Sequence, residues 1–350
     1  MPDITIRGAG IFGLSIAWAA VQRGARVRVI DPAGPASGAS GGVLGALAPH
    51  VPENWNDKKA FQFDSLLMAE SFWAGVEAAG GGSSCYARSG RLQPVADADA
   101  RDLAAMRAAN AARLWQGRAE WRLRSAADFG PWCPETPTGL VVEDTLSAQI
   151  HPQRACAALV AALGARGVAV LAEGADSGQV VHAAGWRDLD RISRQLGIAC
   201  GNGVKGQAAL LRHDAGRGRA QIFAGGLHIV AHGDGTVAVG STSERDWSDP
   251  SMTDGQLDAL ITRAREALPV LGDAPVVGRW AGIRPRARSR APVLGPHPLH
   301  KGQFIANGGF KIGFGMAPKV AQVMADLVLE GIDAIPEGLR ASALLRPRSG

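Results

Sequence analysis

The chain has 350 residues, 46% hydrophobic and 20% charged, so it can bury a large core and suits two intimately connected domains better than one. Its net charge of +5 comes from 37 basic and 32 acidic residues, the basic ones mostly scattered arginines with no block of five or six, so no nucleic-acid stripe or partner is expected. No apolar run reaches eighteen residues and the first strand begins almost at the N-terminus, so neither a membrane span nor a secretory signal is expected and the chain reads as cytoplasmic.

Ile4–Arg7 reads as a short strand running directly into Gly8-Ala9-Gly10-Ile11-Phe12-Gly13, after which an alanine-rich helix opens and a second strand, 26–30, ends on Asp31. This is a complete dinucleotide fingerprint and predicts a bound adenine dinucleotide. Gly8 permits the tight turn, Gly10 lets backbone amides approach a pyrophosphate, and Gly13 lets the helix lie close to the strand. The helix N-terminus at Ile11 and Phe12 supplies partial positive charge. Asp31 is placed to accept hydrogen bonds from a ribose hydroxyl. Residues 36–50, with Ala39 and Ser40 in a glycine-rich stretch and Gly45-Ala46-Leu47 in an apolar one, are too glycine-rich for a stable helix and too long for a simple turn. They are expected to form a loop lying against a flat or phosphorylated ligand.

Further along, periodicity predicts helices over 59–79, 98–115, 152–166, 254–268 and 318–330, and an antiparallel sheet from runs at 204–211, 219–224, 226–232, 236–240 and 276–284. Strands are also expected at 168–171 and 180–186. Arg284, Arg286, Arg288 and Arg290 alternate with small residues, a pattern compatible with a phosphate patch. Cys85, Cys133, Cys156 and Cys200 are widely spaced with no CxxC pair, so free thiols are expected, with no metal site.

Taken together, the dinucleotide start, the loop Gly38-Ala39-Ser40-Gly41-Gly42, the run Val180 to Trp186, Lys205-Gly206-Gln207, Trp280-Ala281-Gly282-Ile283-Arg284-Pro285 and the C-terminal run Gly308 to Pro318 resemble the D-amino-acid oxidase superfamily of FAD enzymes, most closely its glycine oxidase and sarcosine oxidase branch. The matches span nearly the whole chain in the right order. The fold that the resemblance implies is α/β, a Rossmann-type FAD-binding domain (GR2-like) with a second α+β substrate domain built on an antiparallel sheet. The FAD domain would be discontinuous, 1–50, 150–203 and 285–350, and the substrate domain 51–149 and 204–284. Members usually carry a further pair of strands with an adenine contact where this chain has only 172–178.

The resemblance implies non-covalent FAD. Its contacts would come from the dinucleotide residues above, from Ala39, Ser40, Gly45, Ala46 and Leu47, from Ala184 and Gly185, and from Gly313, Phe314, Gly315 and Met316. No cysteine lies between Arg284 and Met316, where sarcosine oxidase relatives attach flavin. Arg284 matches the arginine that anchors substrate carboxylate, through a planar fork able to hold both oxygens. Lys311 occupies the basic position beside the flavin, where it would neutralise substrate carboxylate or charge near flavin N1 and O2. His228 stands where relatives tend to have tyrosine, and His228 or His50 is a candidate base. His182 reads as packing. The implied activity is oxidation of the C–N bond of a small amino acid or secondary amine by hydride transfer to flavin N5, with oxygen or a quinone as electron acceptor. The alternatives are an FAD-dependent oxidoreductase acting on carboxymethylaminomethyl-uridine of tRNA, and a non-catalytic flavoprotein subunit.

Overall fold

Two large sheets divide the computed structural model, which describes residues 1–345. Positions 346–350, assigned above to the cofactor domain, lie outside the described residues. The first sheet has six strands in the order Val293–Pro296, Phe304–Asn307, Gln179–His182, Ile4–Arg7, Val27–Ile30 and Val170–Leu171. Ile4–Arg7 pairs in parallel with both Val27–Ile30 and Gln179–His182, so the loops leaving these strands gather at one edge, where open α/β sheets bind ligands. Ile4, Ile6, Val29 and Val181 bury one face of this sheet in a core shared with helices Ile11–Gln22, Asp57–Gly80, Pro152–Gly164 and Gly313–Ala325. Helix Ile11–Gln22 is buried continuously from Ile11 to Ala20, which its alanines permit because small side chains let neighbouring helices approach on several sides.

The second sheet has eight strands in the order Val276–Ala287, Gly201–Arg212, Thr236–Gly240, Leu227–His232, Gln221–Ala224, Arg91–Pro94, Leu140–Asp144 and Trp121–Ser125. The expected antiparallel sheet is corrected in one respect: Gln221–Ala224 runs parallel to Arg91–Pro94, where the early segment joins the later one. Strands Trp121–Ser125 and Leu140–Asp144 escaped the periodicity reading because Arg122 and Arg124 both pair with Glu143 across them, giving a strand edge the polarity of a loop. Helix Gly255–Ala267 packs on this sheet through Leu257, Leu260, Ile261 and Ala264. Gly201–Arg212 and Val276–Ala287 run straight through the proposed boundaries at 203/204 and 284/285, so 201–203 and 285–287 belong to the second sheet.

Three local expectations change. The run 180–186 is a strand only to His182; Gly185, at φ +72°, turns the chain into helix Trp186–Leu196. The loop 36–50 contains a helical turn, Ala39–Gly41, and a short strand, Gly45–Leu47, paired with Ala148–Ile150. The last helix begins at Gly313, before Pro318, because the Met316 amide donates to the Ile312 carbonyl and closes the first turn despite the glycines.

Candidate active site

Between the two sheets lies an elongated cavity of about 900 Å³. At one end the chain leaves strand Ile4–Arg7 through Gly8 at φ +114°, where a Cβ would collide with the Ala183 carbonyl. A Cβ on Gly13 would strike the Gly8 carbonyl, so helix and strand meet as closely as the motif requires. The Asp31 carboxylate accepts from the Ala9 amide at 2.8 Å and the Ala33 amide at 3.0 Å, holding both turns that border the cavity. Ser40 Oγ accepts from the Ile11 amide at 3.0 Å and fastens the glycine-rich segment beside the helix start. The short segment 172–178 is pinned by Arg7 to Asp176 at 2.7 Å and by Arg28 to the Ala175 carbonyl at 2.7 Å.

Helices Ile11–Gln22, Trp186–Leu196 and Gly313–Ala325 start at this cavity from Gly10, Gly185 and Ile312, none of which caps its helix with its own side chain, and their first residues line the wall. Their amide ends and dipoles bring positive potential to three places along one long pocket. That suits a ligand with a pyrophosphate in its middle and an electron-rich ring at one end.

At the other end Arg284 is buried on strand Val276–Ala287, lying across the face of Gly206 so that a Cβ there would overlap the guanidinium. Its Nη1 donates to the Thr242 carbonyl at 3.2 Å. Burial pushes this guanidinium down to about 10, partly offset by Glu244. Glu244 is buried behind it, accepting from the Thr242 hydroxyl and from Gln207 at 3.0 Å, with Lys205 at 3.7 Å. Lys311 also lines the cavity; burial, then Arg284, lowers its pKa.

His228 lines the same end, and Gln221 sets its tautomer. The amide nitrogen of Gln221 donates to the Ala148 carbonyl, so its oxygen takes the His228 Nδ1 proton at 3.2 Å and leaves Nε2 as an acceptor. Burial, then Arg91 and Lys311, pushes His228 down to about 3, so the ring is neutral.

Of the residues singled out from sequence, Gly8 and the segments 10–12, 39–40, 45–47, 184–185 and 313–315 border the cavity together with Asp31, Arg284, Lys311 and His228. Three do not line it. Gly13 packs beneath the turn, Met316 is wholly buried in the core, and His50 is tied by its amide and Nδ1 to Gln62. Sequence reasoning missed Trp280, Thr242 and Glu244. Trp280 lies against Gly42, where a Cβ would meet its ring at 3.5 Å, and walls the ring end. His182, read as packing, joins His297 and His300 at the nucleotide end, with one nitrogen of each within 4.8 Å of the others. Several of their ring nitrogens are engaged, while His297 Nε2 is buried without a hydrogen-bond partner. His297 Nδ1 accepts the Leu299 and His300 amides, His182 Nε2 meets the Gln303 side-chain oxygen, and Arg191 donates to His300 Nε2. A cation, Arg191, stands against this cluster and opposes a bound metal ion.

The cavity, the glycine turn and the two-sheet frame define a dinucleotide-binding oxidoreductase. The chain belongs to the family of FAD dependent oxidoreductases named DAO, whose profile matches residues 3–327. Among curated relatives, the glycine oxidase of Pseudomonas putida is 35% identical over 125 residues, 36% of this chain and 34% of that protein. The match thus spans about a third of that relative's length. A bifunctional tRNA 5-methylaminomethyl-2-thiouridine biosynthesis protein of Polaromonas naphthalenivorans is 28% identical over 97% of this chain and 58% of its own. The crystal structure of glycine oxidase from Geobacillus kaustophilus shares the fold, with a TM-score of 0.82, 20% identity and 96% of each chain covered. By its family the chain is therefore an FAD-dependent oxidoreductase. No helix among the described residues is long and apolar enough to cross a membrane.

Proposed function

We propose that the enzyme oxidises the carbon–nitrogen bond of a small amine that carries a carboxylate. The observation that carries this reading is Arg284, a buried guanidinium that lines the cavity and donates to one backbone carbonyl, that of Thr242. Its fork is free to take both oxygens of a carboxylate. The three helix ends and the glycine turn would hold FAD non-covalently, and the cofactor would supply the hydride acceptor, with oxygen or a quinone as the final electron acceptor. Arg284 orients the substrate, Trp280 and Phe223 exclude water, and His228 Nε2 accepts a hydrogen bond from the amine. His228, pushed to about 3, is too weak a base to take the ammonium proton. Instead, the charges of Arg284 and Lys311 lower the pKa of the bound ammonium, so it loses its proton to solvent on entry. The imine left after hydride loss is hydrolysed by water.

A second reading keeps this chemistry and replaces the small molecule by a tRNA uridine bearing a carboxymethylaminomethyl group, itself a carboxylated amine. It is motivated by the Polaromonas relative aligned along 97% of this chain.

Anaerobic mixing of the holoenzyme with amino acids, N-substituted amino acids and uncharged amines tests the proposal. Carboxylated amines should bleach the flavin and uncharged analogues should not. Bleaching by uncharged amines alone would overturn it, and bleaching by modified tRNA alone would select the second reading.

A further inference from the structure

The charge inventory of the substrate end goes one step further, resting on the carboxylate-binding role proposed for Arg284. The carboxylate that acts on Arg284 is Glu244, already engaged by Lys205, Gln207 and Thr242. Lys311 has no acidic partner among the ion pairs of the described residues; its neighbours are Arg284 and the Phe310 ring at 5.8 Å. The acids that line the cavity, Asp31 and Asp188, belong to the nucleotide end, where Asp31 accepts two amides and Asp188 holds Arg191 at 2.7 Å. The backbone fixes the lysine in place. Phe310 sits at φ +43°, a strained conformation for a bulky residue, and its amide donates to the Pro285 carbonyl at 3.1 Å, fastening the Lys311 loop to the residue after Arg284.

Arg284, buried, and Lys311, exposed at the cavity wall, are like charges that act on each other, and a single carboxylate neutralises only one of them. We propose that the substrate is a dianion, an amine bearing two carboxylates, with one held by Arg284 and the second by Lys311. An α-amino dicarboxylate and a secondary amine with two carboxylate arms share this chemistry, and only the second would be matched by a thioether carrying an acetate on each side of sulfur.

The test uses the holoenzyme and two ligands in which sulfur replaces the amine, so that no imine can form: (methylthio)acetate and thiodiacetate, titrated while the visible flavin spectrum is followed. Thiodiacetate should bind about tenfold or more tightly, the scale of one charge-assisted hydrogen bond. Lys311→Met should bring the ratio of the two dissociation constants towards one, and Lys311→Arg should preserve it. Should Lys311→Met lose FAD, Lys311→Gln gives the same reading. Succinate and glutarate, whose carboxylates flank carbon alone, form the arm for the α-amino dicarboxylate; their preference over acetate, without one for thiodiacetate, would assign that form. No preference for any dicarboxylate would overturn the proposal, as would a preference unchanged by Lys311→Met while the flavin reduction potential shifts, which would assign the lysine to the flavin. Bleaching by monocarboxylated amines with no such preference removes the dianion alone; absence of bleaching by every carboxylated amine removes the underlying reading too.

Discussion

At the scale of single residues, the arrangement around Arg284 makes the sharpest demands. A carboxylate bound there sits in a water-poor pocket, so Arg284→Ala leaves that charge without its partner at a cost of about 2–5 kcal/mol. Apparent substrate affinity should then fall roughly thirtyfold or more, at about 1.4 kcal/mol per decade, with FAD content and flavin spectrum normal. Arg284→Lys, which keeps charge but loses the fork, should recover only part. Equal losses for carboxylated and uncharged amines in stopped-flow reduction would show that Arg284 serves the fold instead. Gly206 tests the same site from below. Because its missing side chain is the space the guanidinium occupies, Gly206→Ala should displace Arg284 and weaken substrate binding while FAD binding is retained. An unchanged KM in that variant would contradict the placement. Arg284 and Lys311 were legible because each sits inside a local motif with glycines and a proline. Thr242 and Glu244 were not, since they reach Arg284 across the sheet from some forty positions away and carry no pattern of their own. His50 was misread because a histidine after a glycine-rich segment looks like a site residue until Gln62 is seen to bind it.

At the scale of elements, strand, turn and helix at the N-terminus work as one device, and Asp31 is its clasp. Its carboxylate holds the Ala9 and Ala33 amides, so the aspartate organises the turn that borders the cavity. Losing charge-assisted hydrogen bonds of this kind costs about 1.5–3 kcal/mol. Asp31→Ala should therefore bind FAD roughly ten- to a hundredfold more weakly in a titration of the apoprotein, at about 1.4 kcal/mol per decade. Unaltered affinity would reduce Asp31 to a strand cap. The fingerprint was readable because its geometry depends on glycines that nothing can replace. The long helices were readable too, since Asn56, Asp97 and Asp254 cap their starts and their buried faces recur at helical spacing. What escaped were elements whose identity depends on distant partners. Strand Gly45–Leu47 exists because Ala148–Ile150 pairs with it, and helix Trp186–Leu196 is amphipathic but hides behind a strand-like run that ends in glycine.

At the scale of the molecule, the cavity is lined by segments of both sheets, so ligand and fold are coupled. FAD that binds only the native state should stabilise it by about 2.7 kcal/mol at a hundred times its dissociation constant, and the melting temperature of the apoprotein should rise with added FAD. The histidines couple stability to pH as well. Burial pushes His228 and His297 down to about 3 and His151 to about 4, and lowers His232. In the unfolded chain these rings take up a proton near 6.5, whereas in the native state they stay neutral until far lower pH. Between about 6.5 and 4 the unfolded state therefore binds more protons, and stability falls as pH falls. Each such histidine contributes at most about 1.4 kcal/mol per pH unit. The carboxylates whose native pKa is lowered, Asp234 and Asp333 among them, act in the same direction only below their own ordinary values, so the histidine loss comes first. The holoenzyme, clear of aggregation and with FAD in excess, should show a melting temperature that declines steadily from pH 7 to pH 5. His151→Asn, which removes one buried ring, should flatten part of that decline. A melting temperature constant across this interval would mean that water or an unrecognised acid meets these rings, and that their neutral state does not hold in solution.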